Sequence, residues 1–183
     1  MAALAPIVHM HPPVIITGPA LPWLAAAAAL GLLLLCGAVI HSDLGRRRIP
    51  NTLCIAIASL GLVFAVGETG WSGFPTFAWR MAIAALVAGP LVLLFLLRLL
   101  GGGDVKLIAA LLLWVPASGI PAMLAVTILA GALIAVALNL LNRLFCFIRA
   151  DTVPYGAAIV TGALCVLIPR FDGLAAAACA FVA

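Results

Sequence analysis

The sequence of 183 residues is 67% hydrophobic and only 8% charged, with a mean hydropathy of +1.38. Soluble domains carry roughly a quarter of their residues as charged side chains, so this composition excludes a soluble protein and predicts one embedded in a membrane. The net charge is only +4, and the basic residues lie in short segments that form no basic face. This distribution argues against a nucleic-acid partner.

The N-terminal segment, residues 1–21, contains no Lys or Arg and is rich in proline. It therefore lacks the basic region with which a secretory signal peptide begins, and we predict a tail outside the membrane. The five cysteines of the chain are scattered without a Cys-x-x-Cys pair, so neither a zinc site nor a redox pair is indicated. We predict no metal and no cofactor.

The apolar segments predict an all-α membrane protein, a polytopic bundle of six transmembrane helices. The first, third and fifth helices have the roughly 20 apolar residues that a span requires, whereas the other three are short and need a thinned or water-filled region beside them. Pro116, Gly119 and Pro121 separate the fourth helix from the fifth. Residues 171–183 form a C-terminal tail, too short to cross, that either lies in the interface or extends the last helix past Pro169. The predicted helices are 22–42, 50–67, 77–100, 104–117, 121–142 and 153–169.

The basic residues predict the orientation of the bundle. Seven of the nine Lys and Arg residues, including the run Arg46–Arg48, fall at one end of the predicted helices, and only Arg80 and Arg170 fall at the other. Because cytoplasmic loops collect positive charge, we expect the basic end to be cytoplasmic, with Arg46–Arg48 against anionic lipid and both termini outside. Asp43, which closes the first helix, and Asp104, which opens the fourth, are then at the same membrane depth.

Asp43 and Asp104 are the strongest functional candidates, because a carboxylate near hydrocarbon is costly unless it faces water or a partner. Two neighbouring carboxyl groups resist joint ionisation, so one can take a proton from a water while the other donates a proton to the carbonyl under attack. Gly101–Gly103, just before Asp104, would let a peptide substrate approach the backbone closely.

Other interpretations of the two aspartates remain open at this point. Asp43 can pair with a neighbouring arginine at the interface, and Asp104 can cap the fourth helix. The two can also relay protons in a small ion-coupled carrier, or the chain can be a non-catalytic subunit of a secretion or pilus assembly machine.

Three sequence elements resemble those of the type IV prepilin peptidase family. Asp43–Asn51 (DLGRRRIPN) is similar to the family's D-x-x-x-x-x-I-P-N, Gly101–Leu107 (GGGDVKL) to its G-x-G-D-x-K-L, and Pro154–Ile159 (PYGAAI) to its P-Y-G-x-A-I. They occur in the family's order, and residues 25–170 correspond to its membrane core. The lack of a cytoplasmic domain with paired Cys-x-x-Cys motifs resembles the short form found with tight-adherence (Flp) pilus systems.

The resemblance implies a multi-pass aspartic endopeptidase of the bacterial inner (cytoplasmic) membrane. Such enzymes remove the leader peptide of prepilins or pseudopilins at the cytoplasmic face, so such a substrate and membrane lipid are the expected partners. Asp43 and Asp104 would be the catalytic pair, residues 22–170 the membrane-embedded peptidase domain, and residues 1–21 a periplasmic tail. The N-methyltransferase activity of larger members is not expected without the cysteine-containing domain. The sequence does not specify an oligomeric state.

Five further residues are predicted to bind substrate or shape the site, namely Gly101, Gly103, Lys106, Asn51 and Tyr155. Asn51 is expected to support the site through a hydrogen bond to a nearby backbone or to Asp43. Lys106 either attracts an acidic residue of the mature pilin or extends to the lipid headgroups. Tyr155 either donates a hydrogen bond into the site or lies in the interfacial aromatic belt. Gly156 is expected to permit close helix packing rather than to act chemically.

Overall fold

The computed structural model describes residues 21–70, 74–145 and 154–182, which are helical over most of their length and include no β-strand. The predicted all-α architecture with six helices is confirmed, and the predicted N-terminal tail lies outside the described residues. A short 3-10 turn, Ala117–Gly119, precedes the fifth helix. The helices are α1 (Pro22–Arg46), α2 (Asn51–Thr69), α3 (Phe74–Leu96), α4 (Gly102–Leu112), α5 (Ile120–Phe145) and α6 (Tyr155–Val182).

Of the six helices in the described ranges, five are long and apolar enough to cross a membrane, and α4 is not. With 11 residues, α4 is about 16 Å long at roughly 1.5 Å per residue, about half of the hydrocarbon thickness of ~30 Å. At its C-terminal end the Trp114 Nε1–H donates a 2.9 Å hydrogen bond to the Ile57 carbonyl in the middle of α2. This bond holds the end of α4 against α2, and the chain then continues through the short turn into α5. The last helix, α6, continues past Pro169, as expected if the C-terminal residues extend this helix.

The short helix α4 lies at the centre of the bundle, where it contacts α2, α3 and α6, while α1 packs on α2 and α6 and α5 packs on α6. Leu107 and Leu111 of α4 are fully buried, and the ring of Trp114 lies 4.8 Å from the ring of Phe64 on α2. The outward faces of α3 and α5 carry exposed apolar side chains such as Leu86 and Ile128. Such faces suit hydrocarbon rather than water, which agrees with a membrane environment for α3 and α5.

The turn between α1 and α2 is fixed by local backbone and side-chain features. Arg47, just after α1, adopts a left-handed conformation with φ 49°, and its N–H donates to the Asp43 carbonyl. The Ser42 hydroxyl donates a 2.8 Å hydrogen bond to the Arg48 carbonyl. Pro50 then precedes the first residue of α2 in an extended conformation that is compatible with its ring. This connection leaves the last turn of α1, which carries Asp43, beside the start of α6.

An ionic cluster holds the helices together at the opposite end of the bundle. The Arg170 Nη2 lies 2.7 Å from both carboxylate oxygens of Glu68, and the Arg80 Nη2 lies 3.4 Å from one of them. The Arg170 Nη1–H also donates to the Trp114 carbonyl, and its guanidinium lies 5.4 Å from the centre of the Phe64 ring. The cluster therefore joins α2, α3, α6 and the end of α4.

We expect Glu68→Gln to lower the free energy of unfolding by roughly 3 kcal/mol, because it leaves two largely buried guanidinium groups without their counter-ion. The side chain of Glu68 is only 7% exposed, which limits screening by solvent. Denaturation of the purified protein in detergent measures the effect. Asp172→Asn, at an exposed carboxylate of α6, is the matched control and should change stability by less than about 0.5 kcal/mol. Equal losses in the two variants would show that the cluster contributes no stability.

Candidate active site

Asp43 and Asp104, which lie on different helices, open into one shared cavity of about 630 Å³. The cavity is enclosed by the end of α1, the turn that follows it, the start of α4 and the first residue of α6. Its size leaves room for water and for part of a peptide. The residues that line it are Asp43, Arg47, Arg48, Ile49, Gly101, Gly102, Gly103, Asp104 and Tyr155.

Asp43 is held in place by the start of α6. Its side chain is on the last turn of α1 and is buried, and its Oδ2 accepts a 2.8 Å hydrogen bond from the Gly156 N–H. Gly156 is the second residue of α6, so this N–H belongs to the first turn, where no intrahelical acceptor is available. The partial positive charge at a helix N-terminus favours a carboxylate at that position. Asp43 thus receives a fixed orientation and a favourable electrostatic environment from a residue 113 positions away.

Asp104 lies in the first turn of α4, which is not among the five candidate spans, and its side chain is half-buried. Burial and the negative charge of Asp43 raise the pKa of Asp104 from 3.8 to about 6, although a hydrogen bond with the Gly101 backbone opposes the shift. A carboxyl group with such a pKa keeps its proton to a higher pH than an exposed aspartic acid. Asp104 is therefore suited to keep a proton in a cavity that it shares with a second carboxyl group.

The glycines before Asp104 have little space for a side chain at two of their three positions. A Cβ on Gly101 would lie 2.7 Å from the Asp104 Oδ2, and a Cβ on Gly102 would lie 3.0 Å from the Phe95 ring. A Cβ on Gly103 would lie 3.4 Å from the Ile49 Cβ, at the edge of ordinary van der Waals contact. Gly101 and Gly103, both predicted to shape the site, line the cavity and leave the start of α4 open to it.

Tyr155, for which the sequence left two environments open, lines the cavity with the aspartates. It is the first residue of α6, and its ring packs against Gly131 of α5, where a Cβ would lie 2.9 Å from two ring carbons. The close approach of α5 thus directs the tyrosine ring toward the site.

Lys106 and Asn51, which were also predicted to take part in the site, are not among the residues that line the cavity. They bind each other instead, since the Lys106 Nζ donates a 3.0 Å hydrogen bond to the Asn51 Oδ1. The predicted partner of Asn51 was a backbone group or Asp43, whereas the observed partner in this bond is Lys106. The contact ties the first residue of α2 to α4 two residues after Asp104, and so supports the position of Asp104.

Two features of the cavity were missed by the sequence analysis. Arg47 and Arg48, which were assigned to lipid and orientation, line the cavity, so the space around the carboxyl groups also carries positive charge. Gly156, which was assigned to packing, also donates a hydrogen bond to Asp43. A signal for these roles was present in the sequence. Arg47 and Arg48 lie in the same motif as Asp43, and Gly156 directly follows Tyr155.

In chemical terms the site offers paired carboxyl groups, backbone N–H groups and guanidinium groups around a cavity that can hold water. Such a set can move protons to and from a substrate carbonyl. Within the described ranges no group of three or more His, Cys, Asp or Glu side chains is arranged to hold a metal ion.

The part of the chain that carries both aspartates is similar to a known protein family. The chain matches the model of the type IV leader peptidase family over residues 18–136, a region that contains both Asp43 and Asp104 and ends before Tyr155. Neither the curated proteins nor the solved structures include a significant match. Because the family match covers well over half of the sequence and agrees with the helical membrane architecture, the chain belongs to the type IV leader peptidase family.

Proposed function

We propose that the protein is an aspartic endopeptidase that removes the leader peptide of prepilins or pseudopilins at the cytoplasmic face of the bacterial inner membrane. The observation that carries this proposal is the shared cavity of Asp43 and Asp104 in a chain of the leader peptidase family. Gly101, Gly103 and Tyr155 would contact the substrate, and Asn51 and Lys106 would support the site from outside the cavity.

In the proposed reaction the two aspartates act as base and acid on one water molecule. Asp43, ionised and held by the Gly156 N–H, takes a proton from the water as the water oxygen bonds to the scissile carbonyl carbon. Asp104, protonated, donates its proton to the carbonyl oxygen, which gives a neutral gem-diol. Asp43 then passes its proton to the leaving nitrogen as the C–N bond breaks, and Asp104 recovers its proton from a hydroxyl of the gem-diol as the product acid forms.

The proposed orientation rests on the distribution of basic residues. Arg47 and Arg48 beside the catalytic cavity belong to the basic end of the bundle, which the positive-inside tendency assigns to the cytoplasm. Both termini would then be periplasmic, with α4 and the segment after it returning the chain toward the outer side. Anionic lipid at the inner leaflet would contact Arg46, the exposed last residue of α1, which does not line the cavity.

The arrangement of charges favours a peptidase over the ion-coupled carrier. A proton-relay carrier needs ionisable groups along its path through the bundle. In the described part of the chain, the carboxylates lie at two opposite ends, and Glu68 at the outer end is engaged by Arg80 and Arg170. Between the ends the core consists of apolar side chains such as Leu107 and Leu111. The proposed chemistry therefore takes place at one face and needs no path across the membrane.

Co-expression with a prepilin from a tight-adherence system tests the proposed function. The N-terminus of the pilin, read by mass spectrometry, should lack its leader only in cells that contain the protein. Purified protein in detergent should perform the same cleavage on purified prepilin. A pilin that keeps its leader in both experiments, although the protein is inserted and folded, would rule out the proposal.

The raised pKa of Asp104 predicts the pH dependence of cleavage. Asp104 holds the required proton below about pH 6 and loses it as the pH rises through that value. We therefore expect kcat/KM, which reports the free enzyme, to fall between pH 6 and pH 8 in assays with purified prepilin. Circular dichroism over the same range serves as the control for intact folding. A kcat/KM that increases over this interval would contradict the assignment of Asp104 as the proton donor.

A further inference from the structure

A second cavity, of about 200 Å³, lies at the end of the bundle opposite to the aspartates. It lies between α3 and the connection from α4 to α5, and its walls are mostly apolar, with Trp79, Ile83 and Val115 among them. Arg80 is the one charged residue among the described residues that line it. The proposed cleavage reaction makes no use of this cavity.

The ionic cluster beside this cavity has one more positive charge than negative charge. Glu68 is its carboxylate, and both Arg80 and Arg170 bind it. Arg170 makes the shorter contacts with Glu68 through its Nη2, and its Nη1 donates a hydrogen bond to the Trp114 carbonyl. Both of its terminal nitrogens therefore have acceptors. Arg80 contacts Glu68 through Nη2 at 3.4 Å, and its Nη1 is buried without an acceptor in the described structure.

A largely buried guanidinium group with an unused N–H is costly, because the lost hydration is not replaced. An oxyanion in the adjoining cavity would supply both the missing acceptor and the missing negative charge. The planar guanidinium group matches the geometry of phosphate oxygens better than a lysine would. The cavity volume corresponds to roughly six or seven water molecules at ~30 Å³ each, which is enough for a phosphate group and part of a glycerol.

The surroundings of the cavity indicate where the phosphate comes from. Arg80 is six residues into α3, roughly 9 Å along the axis at ~1.5 Å per residue, a depth from which an arginine reaches the headgroup layer. The neighbouring Trp79 is 66% exposed and Leu86, further along the helix, is 75% exposed. A lipid whose phosphate binds at Arg80 could lay its acyl chains along this apolar face of α3.

We propose that Arg80 and the cavity beside it bind the phosphate group of a membrane glycerophospholipid in the leaflet opposite to the catalytic site. This lipid completes the Glu68–Arg80–Arg170 cluster and fastens α3 to the α4–α5 connection. The proposal does not rest on the proteolytic activity, so either can fail without the other.

Native mass spectrometry and thermal denaturation of the purified protein, titrated with phosphatidylglycerol, test the site. We expect the wild-type protein to keep one lipid and to gain several degrees in Tm, and diacylglycerol, which lacks the phosphate, to give no such gain. Arg80→Gln should weaken phosphatidylglycerol binding at least about tenfold, the loss of one charge-assisted contact of 1.4 kcal/mol or more. Arg143→Gln, at an exposed arginine of α5, is the matched control and should bind like the wild type.

A second variant addresses the case in which Arg80→Gln does not fold. Ala117→Phe fills the cavity from an exposed position without changing any charge, and it should also weaken phosphatidylglycerol binding about tenfold. Wild-type affinity in either folded variant would overturn the proposed site. Inorganic phosphate alone is the last arm, because stabilisation through Arg80 by this ion to the same extent would identify a site for free phosphate and would overturn the assignment to lipid.

Discussion

Asp43→Asn and Asp104→Asn are each expected to lower kcat for leader cleavage by about a thousand-fold or more. Asparagine has nearly the shape of aspartate but neither accepts the proton of the attacking water nor holds a proton to donate. In the proposed mechanism the two groups act on the same water, so the double variant should be no slower than the slower single variant, since losses within one catalytic unit are not additive. Cleavage of purified prepilin, followed by mass spectrometry, measures all three.

Asp172→Asn is the control for these variants, because it removes a carboxylate that is exposed and distant from the cavity. It should cleave at the wild-type rate, and all variants should insert and keep a Tm close to that of the wild type. Cleavage that persists within tenfold of the wild type in either Asp43→Asn or Asp104→Asn would remove the two-carboxylate mechanism. The outcome would leave the family membership intact and would require another source of catalysis.

The helices and the pairing of the aspartates at one end were accessible from the sequence. Long apolar runs specify membrane helices because lipid leaves the backbone few alternatives. The distribution of basic residues along the chain then predicted that Asp43 and Asp104 lie at the same membrane depth. The length of α4 was less accessible, because the residues that follow Leu112 are as apolar as those within the helix. The bond of Trp114 to the Ile57 carbonyl marks where the helix ends against α2, and that contact depends on packing.

Side-chain partners across distant helices were the least predictable part of the site. Asn51 and Lys106 were both selected from motifs, but their hydrogen bond to each other depends on the relative rotation of α2 and α4. The left-handed conformation of Arg47 likewise turns the α1–α2 connection toward the cavity, although nothing in the letters RRR distinguishes this arginine from its neighbours. Motifs thus identify which residues matter before they identify what each residue touches.

Gly156→Ala is expected to lower kcat for cleavage by about a hundred-fold while it changes KM little. The added methyl carbon would lie 2.8 Å from the Asp43 Oδ2 and 3.0 Å from its Cγ. Asp43 would have to move away from the Gly156 N–H, and a displacement of about 1 Å from the reactive geometry can cost a hundred-fold in rate. Because the change displaces a reacting group and leaves most of the cavity wall in place, its effect belongs to the chemical step. Steady-state cleavage assays on purified protein and prepilin separate kcat from KM.

Two other glycine variants distinguish damage to the site from damage to the fold. At Gly37 of α1 an added Cβ would meet nothing within 4 Å, so Gly37→Ala should cleave normally and gain up to about 1 kcal/mol in stability from its higher helix propensity. At Gly162 of α6 a Cβ would lie 2.6 Å from the Met123 carbonyl oxygen of α5, so Gly162→Ala should lower Tm. Its folded fraction should nevertheless keep a kcat near that of the wild type, since it is six residues from Gly156. If Gly156→Ala instead lost Tm and kept kcat in the same way, the start of α6 would serve packing alone and Asp43 would not depend on it for its orientation.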